Sequence, residues 1–142
     1  ILRSYKRNKR RMAQDFGGEA VRFFKRSFRH QGFKDNGTVD KWEKRKKEPK
    51  NRRGRAILIK SGKLRRSIKV KRSNSSKVII GVDRFVERYA KVHNEGAKIK
   101  RRSKNKSWIT NMPKRQFIGP SSDLDKALVR KWAKMLKVIL KQ

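Results

Sequence analysis

Met12, Phe16, Ala20, Phe23, Phe24 and Phe28 recur every three or four residues. That spacing stacks them along one face of a helix, so the chain must supply something for an aromatic stripe to pack against. Phenylalanines in this pattern read as core rather than as a platform for stacking bases. The pair Gly17-Gly18 weakens a helix by about 1 kcal/mol per glycine, which predicts a kink or a late start, and Gly32 is a plausible stop. The preceding stretch 1–11, ILRSYKRNKRR, has little to bury and reads as a basic arm. Residues 12–142 then read as one domain.

Covering elements follow along the chain. Residues 34–55, KDNGTVDKWEKRKKEPKNRRGR, read as a long basic loop with Asn-Gly, Pro and Gly as breakers. Trp42 is its apolar anchor, a plug over the helix. Ile57 to Ile59 form a short apolar run, and Ser61 is positioned to cap a turn carrying Leu64. Ile68 and Val70 alternate with Lys69 and Lys71, SNSS at 73–76 supplies turn chemistry, and Val78 to Val82 return; this predicts a hairpin. Phe85 or Val86, Tyr89, Ala90 and His93 lie at helical spacing, with Gly96 as the stop. Residues 97–110 read as strand, basic tip and return strand, anchored by Ile99, Trp108 and Ile109. Pro113 holds 112–119 extended. The last helix begins near a capping-box-like Ser122 and Asp125 and carries an apolar stripe of Leu124, Leu128, Trp132, Met135 or Leu136, and Ile139. The expected fold is α+β: a small antiparallel sheet with an N-terminal helix and a C-terminal amphipathic helix packed against it.

Charge narrows the function. The chain has 45 Lys and Arg against 11 Asp and Glu, a net +34, and the excess runs through the body rather than sitting in a tail. Such a surplus makes a compact state repel itself unless something screens it, so a polyanion or a strongly acidic protein surface is the expected counterpart. No apolar run approaches the roughly 18 residues of a membrane span, and the basic start is not followed by the apolar region of a signal peptide. No membrane partner is expected. Cysteine is absent, which removes disulfides, thiolate metal sites and a Cys nucleophile and makes intracellular synthesis the default.

Catalysis finds little footing. His93-Asn94-Glu95 contains the H-x-E of zinc deaminases, but those enzymes also need cysteines to hold the metal. A zinc site without cysteine wants about three His or carboxylate ligands, and the other histidine, His30, lies at the end of the first helix. A metal nuclease wants clustered carboxylates, and the acids here are scattered. No convergent set of groups points to an enzyme, a metal or a cofactor.

The ordered elements SGKLRRSI (61–68), KVIIGVD (77–83), YAKVHNEG (89–96) and MPKRQFIGPSSDL (112–124), with Trp42 and its KRKK neighbourhood upstream, resemble the phage virion-morphogenesis or tail-completion family across about residues 12–140. The matching positions include Leu64, Tyr89, His93, Gly96, Arg115 and Phe117; with Trp132 on the last helix they are the candidate assembly and structural residues. The resemblance implies a virion structural protein of the head–tail junction, or neck, made in the host cytoplasm. It also implies a homo-oligomer, a hexameric ring, whose partners are connector or adaptor and tail proteins. His93 and Glu95 then form a helix-to-loop corner rather than an active site.

A ring of six such subunits would carry about +200 and needs screening. The candidate contacts are Arg52, Arg53 and Arg55 in the first loop and Lys100, Arg101, Arg102, Lys104 and Lys106 in the second. They would face phage DNA, through sequence-independent phosphate contacts that permit sliding, or acidic neighbouring subunits. A ribosomal-type RNA-binding protein is the alternative with the same composition.

Overall fold

The computed structural model describes residues 2–46 and 54–140. Helix α1 spans Leu2–His30. The basic stretch before Met12 is therefore a continuation of the helix, not a separate arm. Arg, Lys and Met are good helix formers, so propensity carries the helix past the point where burial begins. Nor does the glycine pair interrupt or delay it. Gly17 is buried, and a Cβ there would stand 2.7 Å from Val70 Cγ2 and 3.1 Å from Val78 Cγ1: the missing side chain lets a hairpin lie against the helix.

The helix ends when Gln31 takes a positive φ of 51°, one residue before the predicted glycine. The chain then enters β1 (Gly32–Asp35) and β2 (Thr38–Lys41). Asn36 and Gly37 both have positive φ, as a two-residue hairpin turn requires. Residues 34–41 of the expected loop thus belong to a hairpin. Trp42 follows, 6% exposed; its ring packs edge-on to Phe28 with centroids 5.5 Å apart, and its indole N–H donates to the Gln116 carbonyl at 2.7 Å.

After the irregular segment 54–62 come α2 (Lys63–Ser67), β3 (Lys69–Ser73), β4 (Val78–Gly81), a 3₁₀ turn (Arg84–Val86), α3 (Glu87–Glu95), β5 (Ala97–Arg102), β6 (Ser107–Met112) and α4 (Ser122–Leu140). The strands make three separate two-stranded antiparallel ladders, β1–β2, β3–β4 and β5–β6, instead of one sheet. The physical reason is the long helix. β1, β3 and β4 each pack on α1, so the helix rather than a neighbouring strand buries their inner faces.

The core joins Phe23, Phe24 and Phe28 of α1 to Phe33, Trp42, Leu64, Ile68, Ala90, Phe117 and Leu124. Phe28, Ile68 and Phe117 are the most deeply buried large side chains. Met12 and Phe16, at the outer end of the stripe, are half-buried. Helix α4 lies along α1 and β1, with Lys131 facing Glu19 at 3.8 Å. Its cap differs from expectation. Ser121, not Ser122, receives the N–H of Leu124 on its hydroxyl at 3.3 Å, while Ser122 donates its N–H to Asp35 Oδ1 at 2.8 Å. The β1–β2 turn closes the contact in return: the Gly37 N–H donates to Asp123 Oδ2 at 2.8 Å. Asp35 is held below the usual carboxylate range by these Ser122 bonds.

Candidate functional site

Two regions hold most of the residues singled out from the sequence: a buried corner at the end of α3 and the exposed β5–β6 hairpin. The corner is built on Gly96, whose φ of 76° and ψ of 154° belong to a region that only glycine occupies without strain. A Cβ there would lie 3.1 Å from the Lys114 nitrogen and 3.2 Å from the Met112 oxygen. The chain can therefore leave α3, make the hairpin and return directly beneath the helix end. The Arg115 N–H donates to the His93 carbonyl at 2.7 Å.

Asn94 fixes that return. Its Oδ1 accepts the N–H groups of Phe117 and Ile118, both at 2.9 Å, and its Nδ2 donates to the Ile118 carbonyl at 3.0 Å. One side-chain amide thus acts as the missing strand partner of an extended segment that has no ladder. Gln31 does the same for the 57–59 segment, accepting the Ile57 N–H and donating to the Ile57 carbonyl at 3.3 Å. Neither amide was distinguishable in the sequence, because an Asn or Gln at a helix end announces its role only when its distant partner is known.

Arg115 is 6% exposed. Its guanidinium donates through Nε (3.2 Å) and Nη2 (2.9 Å) to the Glu43 carbonyl, which ties the Trp42 segment to the corner. Burial lowers its pKa from the ordinary value, with the Glu43 charge opposing and the Arg45 charge adding to the shift. His93 is also 6% exposed, and the Tyr89 ring stands edge-on to it at 4.4 Å. Its Nδ1 has no hydrogen-bond partner. Burial, then the Arg115 charge, lowers its pKa to about 4, so the imidazole is neutral at pH 7. Phe117 inserts from the returning segment into the core, tilted against Phe28 at 5.2 Å.

The structure thus gathers His93, Gly96, Arg115 and Phe117 at one corner with half-exposed Tyr89, and buries Leu64 in the core that Phe117 enters. Trp132 is elsewhere, 46% exposed on α4. Among the described residues there is no cluster of three His, Cys, Asp or Glu suited to a metal ion, and no helix long and apolar enough to cross a membrane.

The hairpin is different in kind. Lys100, Arg101, Arg102, Lys104 and Lys106 are all exposed, but they do not form one patch. The register pairs Arg101 with Trp108 and Lys100 with Ile109. Cross-strand partners share a face and successive residues alternate. One face therefore carries Arg101 beside Trp108, the other carries Lys100 and Arg102 with Ile109, and Lys104 and Lys106 lie at the tip. Trp108 and Ile109, expected as anchors, are 47% and 68% exposed: alternation identifies two faces without saying that either is covered. Arg55 is exposed, with its carbonyl accepting from Arg45 Nη1 at 2.8 Å. Arg52 and Arg53 lie outside the described residues.

The clasped corner is buried, and basic and apolar side chains are left exposed outside it. A profile of the phage virion morphogenesis family matches residues 1–137, and the chain belongs to that family. Neither the curated proteins nor the solved structures contain a significant match. Family membership supports a structural or assembly role in a phage virion.

Proposed function

We propose that the protein is a subunit of an oligomeric ring at the phage head–tail junction, with the β5–β6 hairpin directed at DNA passing through the neck. The observation that carries this reading is the hairpin itself: five exposed cations on two faces and a tip, with Trp108 and Ile109 exposed among them. The chain has only 11 acids against 45 bases, and several of those acids are engaged within the fold. Glu19 bonds Arg22 and Arg26, Asp83 pairs with Lys69 and Asp35 holds Ser122. The positive surplus is left to act outward, and phosphate contacts distribute it along DNA without fixing sequence. The corner at His93 has a structural part in this reading, and no chemical step is assigned to it.

The test is the mass of the purified protein across a salt series, with and without a short random-sequence duplex. A discrete multimer near six subunits that survives high salt, with duplex affinity falling steeply as salt rises, supports the reading. A monomer that prefers structured RNA to duplex DNA overturns it in favour of the ribosomal-type alternative.

A further inference from the structure

The β5–β6 hairpin carries more than charge. Residues 97–112 hold six cations, Lys98, Lys100, Arg101, Arg102, Lys104 and Lys106, and no acid, so a surplus remains whatever single ion pair any of them makes. All six are exposed. β5 and β6 pair only with each other, and the tip is closed by the Ser103 N–H, which donates to the Lys106 carbonyl at 2.8 Å. The apolar residues are graded along the hairpin. Ala97, Ile99, Thr110 and Met112 share one face and are half-buried. Nearer the tip, that same face ends on Trp108, 47% exposed, with Arg101 directly opposite it. Ile99 is the diagonal neighbour of Trp108, close enough to back a large ring. The register thus stands an indole on the exposed end of the hairpin, supported from the base of the hairpin and flanked by cations.

A phosphate contact needs no indole. Lysines and arginines alone make sequence-independent contacts to duplex DNA, and a duplex hides the π-faces of its bases inside the stack. A grip on unpaired bases uses both groups: cations follow the backbone, and the ring stacks on a base whatever its identity. We propose that the Trp108 face of the hairpin is a stacking platform for unpaired nucleotides of DNA. One base lies on the indole, the Arg101 guanidinium meets the adjoining phosphate, and Lys104 and Lys106 hold the strand at the tip. The inference rests on the DNA-facing hairpin proposed above and adds the form of DNA that the indole serves. Charge argues against a second copy of this chain as the occupant, because that copy would bring a further +34 to the six cations.

The probe is a short oligothymidylate, which forms no duplex, titrated into the full chain at physiological salt. Its binding should quench tryptophan emission in the parent protein and in Trp132→Phe but not in Trp108→Phe, because Trp42 is buried and Trp132 lies on α4. Affinity is read separately from the anisotropy of a labelled strand. Trp108→Phe keeps a π-face and most of the affinity. Trp108→Ala and Trp108→Leu should each weaken binding about tenfold, while affinity for a long random-sequence duplex stays within about twofold. That retained duplex affinity also shows that the hairpin is still formed. Emission that is not quenched, a leucine variant that binds the strand as tightly as the parent, or equal loss on the duplex overturns the platform. An oligouridylate bound more tightly than the oligothymidylate overturns its assignment to DNA. Any of these results in a protein that still forms a salt-resistant multimer and binds duplex in a salt-dependent way leaves the neck reading intact. Stacking by a strict monomer removes the ring and keeps the platform.

Discussion

Replacing Asn94 with alanine removes three hydrogen bonds at once. The side chain accepts from Phe117 and Ile118 and donates to Ile118, and each such bond is worth about 0.5–1.5 kcal/mol net. The cost does not end there. Phe117 is 1% exposed, so its N–H is left in a place that water reaches poorly, and a stranded buried donor costs about 1–3 kcal/mol. The expected loss for Asn94→Ala is about 3–5 kcal/mol, a large share of the roughly 5–15 kcal/mol that holds a typical domain together. Asn94→Asp keeps both acceptor bonds and makes them charge-assisted, but sets a carboxylate oxygen where Nδ2 faced the Ile118 carbonyl; its loss should be about 1–2 kcal/mol. Glu95→Ala, one residue on and exposed, should stay within about 0.5 kcal/mol. Urea unfolding followed by far-ultraviolet circular dichroism gives all three values. An Asn94→Ala variant within 1 kcal/mol of Glu95→Ala, at unchanged slope, would refute the view that one amide holds the returning segment.

The adjacent glycines of α1 should respond in opposite directions. Gly18→Ala meets only Arg22 Nη1, at 3.8 Å, and should stabilise by up to about 1 kcal/mol through helix propensity; Gly17→Ala drives a methyl into Val70 and should destabilise by about 1–3 kcal/mol, both read as shifts in urea midpoint. His93 makes stability depend on pH. Its folded pKa, about 4, lies below the ordinary histidine value of 6.5, so the unfolded chain takes up the proton first and stability falls as pH drops from about 6.5 to about 4. At about 1.4 kcal/mol per unit the loss is about 3 kcal/mol, and His93→Gln should flatten that part of a thermal-shift profile; a slope that persists unchanged would assign the effect to other groups. Finally, changing the five hairpin cations to glutamine should make the slope of log affinity for duplex DNA against log salt shallower by up to about 4.5, at about 0.9 per phosphate contact; an unchanged slope would move DNA off the hairpin.

The elements that local pattern dictates were legible in the sequence. The phenylalanine stripe, the β3–β4 alternation around SNSS, the β5–β6 arms and the stop at Gly96 all rest on spacing or on a glycine's conformational freedom. What escaped depends on partners far away in the chain. The β1–β2 hairpin offers only Phe33 and Val39 as apolar signals, and the basic run after it drew the Asn-Gly turn into an apparent loop. Gly17 read as a weakness because Val70 and Val78 lie more than fifty residues on. Ser121 rather than Ser122 caps α4 because Asp35, on the facing hairpin, takes the Ser122 N–H. At the site, motif residues such as Arg115 and Phe117 were visible by resemblance. The clasps of Asn94 and Gln31 exist only once the segments at 57–59, 93–96 and 112–118 meet.

The most direct test of the account is a reconstruction of virions from the phage that encodes this chain, resolved at the junction between head and tail. The account predicts a closed ring of copies there, with the β5–β6 hairpins lining the channel that DNA crosses. Complete, infectious particles that lack the protein, or copies placed away from the neck with the hairpins facing solvent, would contradict it.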